Sequence, residues 1–200
     1  MKNLSNSANY KNARVYTGGS GQIPVGGYQC IVKGVKYVEY DWGDRIELAF
    51  EVTDGEYKDF FQKQFDENTS EDKKWKGVFR LNVPKDDGTQ EDSWRQNRFK
   101  TVVSHFEESN PGYTWNWDEN TLKGKKIGIL FRNRFTNING NDICYSEACY
   151  TETIENIASG NFKEPKDYKD KSYGGGASTD STSNDGFMDI QPGGEEEIPF

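Results

Sequence analysis

The pattern of apolar and polar residues predicts two strands near the start of the chain. Residues 45–52 alternate strictly, with apolar side chains on one face and mostly charged side chains on the other. The preceding segment, residues 26–42, is rich in β-branched and aromatic residues, and Gly34 stands where so long a strand could bend or bulge. We therefore expect a long first strand and an amphipathic second strand.

A turn signal follows the second strand. Asp54-Gly55 favours a hairpin turn, and the three phenylalanines and two lysines of residues 57–65 predict a third strand behind it. After a polar insertion, residues 78–83 could form another short strand.

The period then changes from that of a strand to that of a helix. Four apolar residues fall at helical spacing between residues 92 and 110: Phe99, Val102, Val103 and Phe106. Asp92 or Ser93 would cap this helix, and a Pro-Gly pair follows it. Residues 125–135 and 142–151 predict two further strands, joined by an Asn-Gly-Asn turn.

The predicted order is three strands, one helix and two strands. A long bent first strand and a helix between the third and fourth strands match the order of elements in an OB-fold, a small and partly open β-barrel. We expect an all-β chain with one helix, built as an OB-fold-like five-stranded barrel and followed by a disordered acidic C-terminal tail. A small α+β sandwich is the alternative fold.

Composition divides the chain into four parts. Residues 1–22 are rich in Asn, Ser and Gly and predict a flexible arm, whereas residues 23–158 hold the predicted strands and helix. Residues 159–194 shift to Lys, Asp and Pro and then to Gly, Ser and Thr, a composition that predicts a disordered linker. Residues 195–200 form a separate tip.

The net charge of −8 argues, at first, against binding to nucleic acid. All 25 Lys and Arg lie at or before Lys171, and six of the 33 acids lie beyond it. Residues 1–171 therefore carry a net charge of −2, and residues 172–200 carry −6. The predicted folded domain is nearly neutral, and the acidity belongs to the tail.

Cysteine spacing and the lack of apolar runs restrict the class of protein. Cys30, Cys144 and Cys149 show no CxxC spacing, which argues against a disulfide framework and a zinc knuckle. No apolar run approaches the roughly 20 residues that cross a bilayer, and the polar start lacks the apolar stretch of a signal peptide. We expect a soluble cytoplasmic protein without a membrane partner or cofactor.

Enzyme chemistry is not expected. His105 is the only histidine, which excludes His-based triads and multi-histidine metal sites. Asp41, Asp44 and Asp54 could bind a metal in a nuclease, but acids at hairpin turns are usually turn formers. A metal-dependent nuclease is therefore a less favoured alternative.

The most specific signal is the last six residues: Glu195, Glu196, Glu197, Ile198, Pro199 and Phe200. An aromatic ring beside a terminal carboxylate can enter an apolar pocket while an arginine binds the carboxylate and basic residues attract the glutamates. A run of acids that served only solubility would not need the apolar Ile-Pro-Phe end. The tip therefore predicts a docking peptide for a partner protein.

The tip resembles the acidic tip of bacterial and phage single-stranded DNA-binding proteins, which join an OB-fold barrel, a Gly-rich linker and an end of acids plus Ile-Pro-Phe. The folded segment is similar to a phage branch of this family in PVGGY (24–28), SNPGY (109–113), WNWD (115–118) and LKGK (122–125). The resemblance implies protection of single strands, without sequence specificity, during DNA replication, recombination or repair. It also implies recruitment of a helicase, primase, polymerase or recombinase, and a place in the host cytoplasm if a phage encodes the chain. It does not imply the tetramer of the bacterial proteins, and a homo-oligomer is still possible.

Binding of single-stranded DNA needs cations that follow the phosphates and rings on which bases stack. Aromatic residues make up 14% of this chain against 32% for all apolar residues, so rings are abundant. The candidate DNA-binding residues form four groups: Tyr40, Trp42 and Arg45 at the first hairpin; Lys58, Phe60, Phe61 and Lys63 on the predicted third strand; Trp75, Phe79 and Arg80; and Lys126, Arg132 and Arg134 on one face of the predicted fourth strand.

Core packing competes with base stacking for every one of these rings, and we expect about half of them to be buried. Trp42 is the best stacking candidate, because it stands beside a polar Gly-Asp turn. For Trp115 and Trp117 the sequence favours neither burial nor base stacking.

A binding module of another class also fits the acidic isoelectric point. It is an aromatic-rich carbohydrate- or peptide-binding module, which does not need the basic face of the predicted fourth strand. Neutralising Arg132 and Arg134 should leave such a module intact and cripple a DNA-binding protein.

Overall fold

The strict alternation at residues 45–52 forms a strand with those bounds in the computed structural model, which describes residues 21–174. The elements in chain order are β1 (Gly26–Val38), β2 (Arg45–Val52), α1 (Phe60–Glu67), β3 (Val78–Asn82), α2 (Gln90–Ser109), a 3-10 helix (Glu119–Leu122), β4 (Lys126–Ile138), β5 (Asn141–Glu152), α3 (Ile154–Ser159) and β6 (Tyr168–Lys169). The prediction of a mostly β chain with one main helix, α2, is confirmed.

The six strands form one open, mixed sheet. Its order is β3-β2-β1-β4-β5, and the short β6 runs parallel to β4 while the other neighbours are antiparallel. The register of β1 on β2 shifts between Val32 and Gly34, which confirms the bulge expected at Gly34. Within residues 21–174, β3 and β5 do not pair, so the strands do not close into the predicted five-stranded barrel.

The prediction of a strand at residues 57–65 is wrong, because helix α1 occupies most of this segment. The carboxylate of Glu51 on β2 accepts the backbone N–H groups of Phe61 and Gln62 at 3.1 and 2.6 Å and so caps the start of the helix. The third strand is instead β3, which the short apolar pattern at 78–83 had indicated. The order of three strands, one main helix and two strands is therefore retained up to β5.

Helix α2 covers one face of the sheet and begins two residues earlier than predicted. Its cap is Thr89, whose Oγ1 accepts the backbone N–H of Asp92 at 3.1 Å, so the predicted cap at Asp92 or Ser93 is wrong. Three apolar residues of α2 are buried in the core: Phe99, Val102 and Phe106.

The core lies between α2 and the apolar face of the sheet. Each strand from β1 to β4 supplies side chains to it, chiefly Val32, Ile46, Leu48, Phe50, Phe79, Leu81, Ile127, Ile129 and Phe131. Because β2 is buried along its whole length, its polar face is covered as well. Residues from the β1–β2 loop and from α1 supply contacts to that face.

Residues 160–174, which the sequence analysis assigns to the linker, return to the sheet. Strand β6 pairs with β4 at Arg134 and Phe135, and the N–H of Asp170 donates to the carbonyl of Phe135 at 2.8 Å. The ring of Tyr173 packs edge-on against Phe135, with centroids 5.4 Å apart. We call residues 166–174 the C-terminal strap; they extend the folded unit beyond the predicted boundary at 158.

The folded unit also begins earlier than residue 23. Gln22 of the predicted arm donates to the carbonyl of Cys144 and accepts the N–H of Ser146, both at 3.0 Å on β5. Residues 1–20 of the arm, the linker beyond residue 174 and the tip lie outside the described residues. Across residues 21–174, no helix has both the length and the apolar character needed to span a bilayer.

Candidate nucleic-acid interface

The loop between β1 and β2, residues 39–44, carries the strongest stacking candidate. The rings of Tyr40 and Trp42 stack with their centroids 4.9 Å apart and their planes within 14°. The guanidinium of Arg45 lies 4.7 Å from the Tyr40 centroid and 5.7 Å from that of Trp42, and it donates to the Tyr40 hydroxyl at 2.6 Å. The structure therefore brings three predicted residues together, and we call Tyr40, Trp42 and Arg45 the loop cluster.

A buried carboxylate joins the loop cluster to Arg80 on β3. Oε1 of Glu47 lies 2.6 Å from Nη2 of Arg45 and 3.5 Å from Nε of Arg80. Two arginines share one glutamate, so the group keeps one positive charge. The side chain of Arg80 is 43% exposed whereas that of Arg45 is buried, so Arg80 presents the charge to solvent.

Hydrogen bonds hold the loop in one position. The Tyr37 hydroxyl donates to Oδ2 of Asp44 at 2.6 Å, a bond that raises the pKa of Tyr37 to about 12. Gly43 donates its N–H to the carbonyl of Tyr40 at 2.9 Å and adopts a φ of 134°, which favours glycine. A Cβ there would lie 2.7 Å from Cε of Lys85, so the loop has a second cation against it that sequence reasoning missed.

Several predicted rings belong to the core instead. Phe79 and Phe61 are 0% and 6% exposed, and Phe60 packs edge-on against Phe61 at 5.1 Å. Trp75 is half-buried, and its Nε1 donates to the carbonyl of Phe50 at 3.1 Å. In this conformation Phe61 and Phe79 have no face open to a base, because burial against apolar neighbours covers them.

Three predicted lysines are exposed. Lys58 precedes α1, and Lys63 lies on α1 with its Nζ donating to the carbonyl of Lys58 at 2.8 Å. Lys126 begins β4, where the side chain of Asn110 bonds both its N–H and its carbonyl. Exposed ammonium groups of this kind suit phosphates rather than base edges.

The two predicted arginines of β4 are paired within the protein. Arg132 and Arg134 contact the two carboxylate oxygens of Glu147 at 3.0 and 2.8 Å, and Arg134 also contacts Asp170 at 3.1 Å. The ring of Tyr168, in the C-terminal strap, lies 4.6 Å from the guanidinium carbon of Arg132. Two of the three cations on the predicted basic face of β4 are thus neutralised within the protein, and the strap lies against them.

One ring that the sequence left undecided is largely exposed to solvent. Trp117 is 77% exposed, whereas Trp115 packs partly against the core. The signal in the sequence was a pair of tryptophans inside a polar loop, but nothing in the spacing separated the exposed one from the packed one.

The acids proposed for a metal-dependent nuclease do not converge. Asp44 accepts the Tyr37 hydroxyl, and Asp54 is exposed in the turn after β2. In the described part of the chain, no three or more His, Cys, Asp or Glu residues are grouped as metal ligands would be. The tip that is predicted to dock partner proteins, residues 195–200, falls outside the described residues.

Comparison with known proteins places the chain in no family. No family model matches it, and no curated protein matches it significantly.

Proposed function

We propose that this protein binds single-stranded DNA without sequence specificity and recruits replication or recombination proteins through its acidic C-terminal tip. The loop cluster and Arg80 support the proposed binding of single-stranded DNA. A stacked pair of partly exposed rings accepts any base, because every base has a π-face, and a neighbouring cation attracts the phosphate. Tyr40, Trp42 and Arg80 supply these two elements at one place on the surface.

The architecture supports the same function. Apart from the short helix α1 between β2 and β3, the chain runs up to β5 through three strands, one main helix and two strands, as an OB-fold does. OB-folds bind oligonucleotides on strands 2 and 3 and on the loops between strands 1 and 2 and strands 4 and 5. The loop cluster occupies the first of these loops, and Arg80 lies on β3 beside β2. We therefore propose an OB-fold-like sheet that stays open between β3 and β5.

The charge distribution supports DNA binding by the folded domain and partner binding by the tip. Residues 1–171 are nearly neutral, and the excess of acids lies in residues 172–200. A nearly neutral domain can bind a polyanion through local groups of cations, whereas an acidic tip repels it. The tip is then a protein ligand, with its three glutamates and the apolar Ile198, Pro199 and Phe200 as the specific elements.

Substitutions in the loop cluster and at Arg80 test whether the protein binds DNA through these residues. Trp42→Leu should weaken binding of oligo-dT by about fivefold or more, whereas Trp42→Phe, which keeps a stacking ring, should lose less. Arg80→Gln should reduce the slope of log affinity against log salt by about 1, because one phosphate contact is lost.

Lys163→Gln is the matched charge control. Its neighbour Phe162 lies against Gly27 at the start of β1, whereas the loop cluster follows the end of that strand. Fluorescence anisotropy with labelled oligo-dT at several salt concentrations measures all four variants. Equal affinities for the wild-type protein and Trp42→Leu would remove the loop cluster from the interface.

A further inference from the structure

Trp117 occupies a conformation that displays its ring. It is 77% exposed and has a φ of 66°, the left-handed region that a bulky residue rarely adopts. Such a backbone state costs free energy, of order 1 kcal/mol or more, and persists only where the surroundings impose it. A large ring held outward at that cost needs an explanation beyond packing.

The ring rests on an anchored platform. It stacks on Phe99 of α2, with centroids 6.0 Å apart and planes within 9°, and Trp115 lies 6.2 Å away at a tilt. Phe99 is 6% exposed and belongs to the core, so one face of Trp117 is supported by a rigid element. Its high exposure leaves the opposite side open to solvent.

The loop that carries Trp117 is braced by its own polar side chains. Asn116 accepts the N–H of Asp118 at 3.2 Å, and Asp118 accepts the N–H of Asn120 at 3.0 Å. Glu107 of α2 accepts the N–H of Trp115 at 2.9 Å. The carboxylates of Asp118 and Glu107 are thus engaged within the protein.

Asn116, which precedes Trp117 in the chain, lines an open groove of about 420 Å³. Its other lining groups include the ring of Tyr113, the hydroxyl of Thr121 and the ammonium of Lys125. Nζ of Lys125 lies 4.6 Å from the Tyr113 centroid. A cation and a ring near an exposed indole match two parts of a nucleotide, the phosphate and the base.

Helix α2 lies against both the β1–β2 loop and the ring of Trp117. A Cβ on Gly43, in the β1–β2 loop, would lie 3.4 Å from Nη1 of Arg95, and Phe99 follows Arg95 by one turn of α2. The first half of α2 therefore connects the two sets of rings. A single strand could pass from Trp42 to Trp117 along this helix.

We propose that residues 111–125 form a second nucleotide-binding element for single-stranded DNA, in which Trp117 stacks on a base and Lys125 contacts the adjoining phosphate. This inference rests on the proposed function, because it names a further part of the path of the same strand. Within residues 111–125, Lys123 and Lys125 balance Asp118 and Glu119, so the segment does not repel a polyanion through a net negative charge. Because Lys125 is the charged residue that lines the groove, it favours a polyanion over an apolar peptide segment as the occupant.

The test uses the full chain and oligo-dT with a single iodouridine, which crosslinks to a stacked aromatic residue on irradiation. We expect a crosslinked peptide that contains Trp117. Trp117→Gly should weaken binding between about fivefold and a hundredfold. Lys125→Gln should reduce the salt slope by about 1, and Lys163→Gln should not.

The proposal requires the Trp117 crosslink, the weaker binding of Trp117→Gly and the smaller salt slope of Lys125→Gln. Glycine suits a φ of 66°, and an unchanged unfolding midpoint of Trp117→Gly shows that an affinity loss comes from the ring. If the wild-type protein binds oligo-dT but Trp117 does not crosslink, or Trp117→Gly binds as tightly, this inference is overturned and the proposed function stands. If the wild-type protein does not bind, both fall.

Discussion

Two buried carboxylates, Glu51 and Asp92, each hold backbone N–H groups that would otherwise lack a partner. Glu51 caps α1 from a neighbouring strand, because Asp59 at the helix start makes no side-chain cap. Asp92 accepts the N–H groups of Lys85 and Asp86 at 2.6 and 2.8 Å. These bonds fix the segment that carries Lys85 to the loop cluster.

Asp92→Asn should lower the free energy of unfolding by about 1 to 3 kcal/mol, because an amide cannot accept hydrogen bonds on both of its ends. Burial acts to raise the pKa of Asp92, but hydrogen bonds from Lys85, Gln96 and Asp86 outweigh it and hold the pKa below its usual value. The stabilisation is therefore complete above the unfolded pKa of about 3.9 and is lost as the pH falls through the folded pKa.

Urea unfolding of the wild-type protein and Asp92→Asn across this range measures the effect. Glu108→Gln, an exposed residue on the same helix, is the control with the same change of charge. A stability difference that stays constant down to about pH 2 would contradict this account.

Among the helices and strands, the sequence predicts the features that depend on residues close together in the chain. The alternation of β2, the Gly34 bulge and the period of α2 each depend on neighbouring residues, and all three are found. Helix α1 was missed because three phenylalanines suggested a strand. The four-residue spacing of Tyr57, Phe61 and Phe65 is helical, but the cap that decides the matter is Glu51, ten residues away.

The strap could not be predicted for a related reason. Its short strand β6 has two residues, too few for any period, and its place depends on contacts with β4. The same contacts changed the interpretation of Arg132 and Arg134. The alternation of side chains along a strand placed both arginines correctly on one face of β4. Only the register of β5 shows that Glu147 lies opposite Arg132.

Arg134→Gln should therefore act first on stability. The substitution leaves Asp170 without its ion pair and removes one of the two arginines from Glu147, so we expect a loss of about 2 to 3 kcal/mol in the free energy of unfolding. Lys126→Gln on the same strand removes the same charge from an exposed position and should have little effect. Thermal unfolding compares the two; equal unfolding midpoints would show that the pairing does not stabilise the sheet.

At the scale of the whole molecule, the candidate interface combines segments that are distant in sequence. The loop cluster was found from its turn and its rings, whereas Phe61 and Phe79 were assigned to the same interface and are buried. Sequence composition cannot separate stacking rings from core rings, because both roles favour the same side chains. Whether the sheet stays open likewise depends on whether β3 and β5 pair, which no local pattern encodes.

The central claim is that this chain binds single-stranded DNA through exposed rings and cations, with the acidic tip left for partner proteins. Titration of the full-length chain and of residues 1–194 with oligo-dT, followed by tryptophan fluorescence at low and high salt, tests it most directly. We expect quenching with nanomolar to micromolar affinity that weakens steeply with salt, and binding at least as tight without the tip, because its acids repel DNA. No quenching of the full-length chain at low salt would contradict the account.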